Sequence, residues 1–150
     1  MGIKGEIMDT SEKYIKMCEK AEEIQEEWEY LWGDFFALIP QMYVERIDNI
    51  RWKQTTQLRK DELVVWLPMQ DQLQEMVWLR VPSKKPRTLL IWLLNSVVFP
   101  ENPPINKNIA DDENKYWEQF DSMEQLWLAF VMSQKFNKIW DEEKEEWIKQ

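Results

Sequence analysis

Histidine is absent from this 150-residue chain, and its absence removes several kinds of site at once. Catalytic triads that contain histidine, histidine-ligated metal sites and histidine general bases are all excluded. An enzyme would have to use carboxylates, Lys, Tyr, Ser or the single cysteine. The acidic triplets in DDENK (111–115) and DEEK (141–144) resemble nuclease motifs, but neither follows a clear strand. We therefore predict a protein with no catalytic residues, metal or cofactor.

Cysteine occurs once, at Cys18, so the chain cannot form an internal disulfide. This is typical of proteins in a reducing cytosol. The apolar neighbours of Cys18 offer nothing that would lower its pKa, and we interpret it as a buried structural thiol.

Long apolar runs and an N-terminal signal are also missing. A membrane-spanning helix needs about 18 or more apolar residues. The longest run here, TLLIWLLNSVVF at 88–99, is shorter and is interrupted by Asn95 and Ser96. The first 14 residues contain no apolar region of a secretory signal. We expect a cytoplasmic protein without a membrane partner.

Positive charge is in the minority, with 19 Lys and Arg against 28 Asp and Glu and a net charge of −9. Nucleic-acid affinity comes mainly from neutralising phosphates, so this balance argues against general nucleic-acid binding. The densest basic group, Arg80, Lys84, Lys85 and Arg87, is interpreted as a solvated loop between helices.

The apolar pattern predicts a helix over about 11–29, with Asp9, Thr10 and Ser11 as candidate N-caps. Its apolar stripe consists of Tyr14, Met17, Cys18, Ala21, Ile24 and Trp28. Gly33 breaks this pattern. Residues 34–66 then contain four short segments with strand character, DFFALI, QMYVERI, IRWKQTT and LVVW.

Residues from about 68 to 137 are predicted to form a helical region. Pro68 suits the first position of a helix whose apolar side is Met69, Leu73, Met76 and Val77. A second helix starts near Pro86 and is predicted to be buried nearly all round. DDENKYWEQF predicts a short helix. The last helix is DSMEQLWLAFVMSQKF, where Ser122 and Gln125 have capping-box spacing. Its predicted core face is Met123, Leu126, Trp127, Phe130 and Val131.

The predicted fold is therefore α+β, with a small antiparallel sheet of three or four strands packed by about four helices in one domain, 1–150. For residues 138–150, a helix and a hairpin would both bring Trp140 and Trp147 together, and propensity favours the helix.

Two segments carry a resemblance: WLPMQDQLQEM at 66–76 and SMEQLWLAFVMSQKFNKIWDEEKEEW at 122–147. With EKYIKMCEKAEEIQ and the GDFF at 33–36, they resemble small uncharacterised proteins that phages and prophages of Gram-positive bacteria encode. The resemblance covers most of the chain outside 37–62 and implies no activity. That pattern often ends in a Trp-Asp/Asn-Gly turn, whereas this sequence has Glu142 in place of the glycine.

The helix after Pro68 supplies the candidate binding residues, which are Gln70, Asp71, Gln74 and Trp78. Amides can both donate and accept hydrogen bonds toward a partner, and an aromatic ring adds buried area. The same residues could be ordinary solvent-facing helix formers, because the apolar stripe beside them is first a packing signal.

Tryptophan is abundant, with ten residues. We expect Trp28, Trp66, Trp92 and Trp127 in the core. Those with polar neighbours are expected to be partly exposed: Trp32, Trp52, Trp78, Trp117, Trp140 and Trp147. Exposed tryptophan is enriched at interface hot spots.

Together these features predict a non-enzymatic phage or prophage accessory protein of the host cytosol that binds a host or phage protein. One version is an acidic inhibitor of a nucleic-acid-handling or defence enzyme. The alternatives are a protein that sequesters a nucleotide-like small molecule in an aromatic pocket and, last, a carboxylate-dependent enzyme.

Overall fold

The computed structural model describes residues 8–29, 31–47, 63–78, 86–97 and 113–150. The chain divides into two compact units, residues 1–69 and 70–150. The described residues contain six helices, a three-stranded antiparallel sheet and a two-stranded antiparallel sheet. The predicted α+β class is thus confirmed, and the single domain over 1–150 stays a prediction. The predicted strand IRWKQTT, Trp52, and Arg80, Lys84 and Lys85 lie outside the described residues.

The first unit begins with two short helices, α1 (Glu12–Lys20) and α2 (Glu22–Glu26). Ser11 is the N-cap of α1, as predicted, and its hydroxyl accepts a hydrogen bond from the Tyr14 amide. The prediction of one continuous helix over 11–29 is wrong. Ala21, with φ −85° and ψ 66°, leaves the helical conformation and separates α1 from α2.

The break at Ala21 is stabilised by the side chain of Gln25. Its amide nitrogen donates to the backbone oxygens of Cys18 and Trp66, 3.0 Å in each case. Its amide oxygen accepts from the Trp66 backbone nitrogen at 2.8 Å. The Gln25 side chain therefore donates to the Cys18 carbonyl near the end of α1, where the helix no longer supplies a donor. It also pairs with the backbone of Trp66, 41 residues away in the sequence.

The described residues of this unit also form three strands: β1 (Phe35–Ile39), β2 (Tyr43–Arg46) and β3 (Leu63–Leu67). Their order is β2-β1-β3, and both pairings are antiparallel. β1 is central, and its middle residues Phe36, Ala37 and Leu38 are buried. Helix α1 packs against β3, and the Tyr14 hydroxyl donates to the Pro68 carbonyl at 2.6 Å.

The second unit contains α3 (Gln70–Trp78), α4 (Pro86–Val97), α5 (Glu113–Glu118) and α6 (Met123–Phe136). α3 starts at Gln70, not at Pro68 as predicted. α3 packs against α6 through a side that includes the buried Leu73 and Val77. α4 is not buried nearly all round, because Leu90, Ile91 and Leu94 are exposed on one face.

Among the side chains described in the second unit, those of helix α6 are the most deeply buried. Ser122 accepts from the Gln125 amide, and the Gln125 side chain accepts from the Asp121 amide, which is a shifted form of the predicted capping box. Residues 127–132 are all buried, and the rings of Trp92 and Trp127 each meet Phe130 edge-on. Met123, predicted in the core face, is exposed.

The C-terminal residues form a hairpin rather than the favoured helix. β4 (Lys138–Asp141) and β5 (Glu146–Lys149) pair antiparallel, with Trp140 opposite Trp147. Asn137 ends α6 in the left-handed conformation, with φ 57°. Both tryptophans are buried, so the prediction that they are partly exposed is wrong.

Candidate functional site

The four predicted binding residues all belong to α3. A helix turns about 100° per residue, so Gln70, Gln74, Trp78 and Asp71 fall within about 100° of one another, beside the buried stripe of Leu73 and Val77. Asp71 is exposed, and the other three are half-buried. The structure thus brings the predicted residues together on one face.

The predicted binding residues of α3 differ in the hydrogen bonds that their side chains make. The Asp71 carboxylate accepts from the neighbouring Gln72 amide at 3.0 Å, a local contact that stabilises the start of the helix. The side chains of Gln70 and Gln74 make no hydrogen bond with another residue in the described ranges. Two amides and a half-exposed indole are available there, and a binding role for this face stays a prediction.

A second candidate site was not assigned from the sequence. It is the tight turn Leu31–Asp34, which leads into β1 and is called the Trp32 turn below. Trp32 is 71% exposed and Leu31 is 58% exposed, the two highest values among the large apolar side chains that the structure describes. The prediction that Trp32 is partly exposed is confirmed. Its placement on a fixed turn makes it a candidate contact residue.

The buried side chain of Asp34 stabilises the Trp32 turn through hydrogen bonds. Its buried carboxylate accepts from the Trp28 indole nitrogen at 2.8 Å and from the Leu31 amide at 3.1 Å. The Asp34 amide donates to the Leu31 carbonyl, which closes a β-turn. Gly33 occupies the third position with φ 93°, as a type II turn requires.

The base of the Trp32 turn is joined to β2. The Gly33 amide donates to the Ile47 carbonyl at 3.0 Å, and the Ile47 amide donates to the Asp34 carbonyl at 2.8 Å. The Arg46 guanidinium donates to the Gly33 carbonyl and lies over the Phe35 ring. A side chain at position 33 would meet that guanidinium at 3.3 Å. These bonds fix the backbone of the turn while its two apolar side chains remain in water.

The sequence held a partial signal for this turn. Gly33 and Asp34 form the GD of the GDFF motif, and Trp32 was among the tryptophans with polar neighbours. The carboxylate that holds the turn could not be assigned, because its partners depend on how Trp28 and Leu31 are placed in three dimensions.

Two titratable groups are strongly perturbed by burial. Desolvation raises the pKa of the Cys18 thiol, so that it stays protonated, in agreement with the prediction of a buried structural thiol. Desolvation also raises the pKa of Tyr116, whose hydroxyl oxygen accepts from the Trp140 amide at 3.0 Å.

The side chains within the described ranges include no group of three or more Cys, Asp or Glu residues placed to hold a metal ion. Among the helices of the same ranges, none combines the length and the apolar character of a bilayer-spanning segment.

Comparison of the chain with protein-family models, with curated proteins and with solved structures finds no match.

Proposed function

We propose that the chain is a non-catalytic accessory protein of the phage or prophage type that acts in the host cytosol by binding another protein. The partner is a host or phage protein that has a pocket for an exposed tryptophan. An enzyme that handles nucleic acid, or one that serves in defence, is the target we favour. The sequence resemblance supports the setting, and the Trp32 turn supports the mode of action.

The observation that carries this proposal is the exposure of Trp32 on a backbone that is already fixed. An indole in water gains free energy when a partner buries it, and tryptophan is among the commonest hot-spot residues. The bond that the Asp34 carboxylate accepts from the Leu31 amide and the bond that the Gly33 amide donates to the Ile47 carbonyl hold the turn in place before binding. Association then requires little further ordering of the backbone, which removes part of the entropic cost of binding.

The test is affinity capture from the bacterium that carries the gene, with wild-type protein, Trp32→Ala and Tyr43→Ala as baits. Tyr43 is the matched control because it is also an exposed aromatic residue of the first unit, 57% exposed on β2. We expect Trp32→Ala to lose the captured protein and Tyr43→Ala to retain it, with all three baits equally folded by circular dichroism. Equal capture by Trp32→Ala would refute a role for the turn.

A fourth bait in the same capture tests the predicted residues of α3. The combined variant Gln70→Ala, Asp71→Ala and Gln74→Ala should remain folded, because alanine is a strong helix former and none of these side chains is fully buried. Loss of the captured protein would add this face to the binding surface. Full capture would return α3 to a structural role and leave the proposal for Trp32 unaffected.

A further inference from the structure

Negative charge is concentrated next to the Trp32 turn. Residues 22–29 read EEIQEEWE and contain five glutamates and no Lys or Arg. The hydrogen bond from the Trp28 indole to Asp34 ties the end of this segment to the turn. Glu26 and Glu29 are exposed on either side of Trp28 in the sequence.

Among residues 22–29 and 31–47, which the structure describes, Arg46 is the one Lys or Arg, and it is already engaged. Arg46 donates to the Gly33 carbonyl, and its guanidinium lies 5.4 Å from the centroid of the Phe35 ring. It therefore serves as part of the base of the turn. The glutamates of 22–29 outnumber this arginine, so within the described residues the exposed indole follows a segment that is predominantly acidic.

We propose that the Trp32 turn inserts into an apolar pocket on a protein partner and that lysine or arginine side chains rim this pocket. The inference rests on the proposed function and names the chemistry of its partner. Burial of the indole supplies most of the affinity, and the glutamates steer the encounter. Charges within about 8 Å, the Debye length at physiological ionic strength, contribute most to such steering.

The negative charge of residues 22–29 argues against two other kinds of binding partner for the turn. Phosphates of a nucleic acid or of an anionic lipid surface would be repelled by Glu26 and Glu29. A second copy of this chain would bring two acidic segments together. A protein surface with an apolar pocket and a basic rim complements both the indole and the carboxylates.

The first test is the rate of capture on immobilised full-length bait at low and at high salt. The double variant Glu26→Gln and Glu29→Gln removes two exposed negative charges from the segment before the turn, and Glu118→Gln with Glu143→Gln removes two exposed charges elsewhere in the chain. Both change the net charge from −9 to −7. We expect the first variant to capture its partner more slowly than the second, by about threefold or more, because charges at a rim act mainly on association.

High salt provides an internal control for this comparison. At 1 M salt the Debye length is about 3 Å, so the difference between the two variants should disappear. Trp32→Ala should capture less partner than wild type at both salt concentrations, because this substitution removes apolar area that the partner would bury. Equal rates for the two double variants at low salt would overturn the basic rim, and capture by Trp32→Ala equal to wild type would overturn the proposed function itself.

The second test locates the contact on the partner. The photoreactive probe is p-benzoylphenylalanine at position 31, which leaves Trp32 in place, and the cross-linked peptides are sequenced. We expect them to come from one partner surface that also carries exposed lysine or arginine. Cross-links to a surface without basic residues would overturn the inference and keep the proposed function. Absence of any cross-link above that of the same probe at position 43 would overturn both.

Discussion

Asp34 accepts hydrogen bonds from the Trp28 indole and the Leu31 amide while its own side chain is withdrawn from water. A buried carboxylate is costly unless such donors surround it. These hydrogen bonds connect the residues that follow α2, Trp28 and Leu31, to Asp34, the residue before β1. One residue thereby sets the position of the exposed Trp32.

Substitution Asp34→Ala should lower the free energy of unfolding by about 1–3 kcal/mol, because the donors of Trp28 and Leu31 lose their acceptor. Urea denaturation with an unchanged m-value would measure it. The control is Asp34→Asn, which keeps a carbonyl oxygen in place and should lose less. An Asp34→Ala variant as stable as wild type would contradict the role given to this carboxylate.

At the scale of elements, local signals in the sequence predicted much of the fold. The Ser122 and Gln125 spacing and the apolar run after it marked α6, and the β-branched segment LVVW marked β3. Each of these depends on residues a few positions apart. Such patterns are decided by short-range capping and periodicity, so they can be read without the tertiary structure.

The elements that were predicted wrongly depend on distant partners. The break at Ala21 is stabilised by Gln25 through the backbone of Trp66, which no local pattern reveals. The C-terminal hairpin overrides the helix propensity of DEEKEE because it buries Trp140 and Trp147, and because the Trp140 amide donates to the hydroxyl of Tyr116, 24 residues away. Tertiary contacts therefore decided both cases against local preference.

The hairpin can be tested through its facing tryptophans. The rings of Trp140 and Trp147 lie 5.1 Å apart at an angle of 61°. A double-mutant cycle with Trp140→Ala and Trp147→Ala should give a coupling energy of about 0.5–1.5 kcal/mol from the stabilities of the four proteins. The pair Trp140→Ala and Met123→Ala is the control, with additive effects expected, because Met123 is exposed at the first residue of α6 whereas β4 follows the last. Additivity for Trp140 and Trp147 would contradict the pairing.

At the scale of the whole molecule, the net charge of −9 bears on its partners more than on its fold. An acidic chain is repelled by nucleic acid and attracted to basic protein surfaces. An inhibitor that occupies a nucleic-acid channel would use the same complementarity, and this is the link between the charge and the proposed class of target.

The full chain should accordingly show no salt-sensitive affinity for duplex DNA near physiological ionic strength. Gel retardation and fluorescence anisotropy over a salt series would measure this, with a basic DNA-binding protein as positive control. Retardation that weakens steeply with added salt would contradict the prediction and would point to the basic group between Arg80 and Arg87.

The central claim is that Trp32 is exposed in the free protein and buried by a protein partner. It can be measured by fluorine NMR of protein labelled with 5-fluorotryptophan, where the variant Trp32→Phe identifies the Trp32 signal among the ten tryptophans. We predict that the Trp32 signal shows a large solvent isotope shift between H₂O and D₂O and loses it when the captured partner is added to saturation. A Trp32 isotope shift that is unchanged in the complex would contradict the claim.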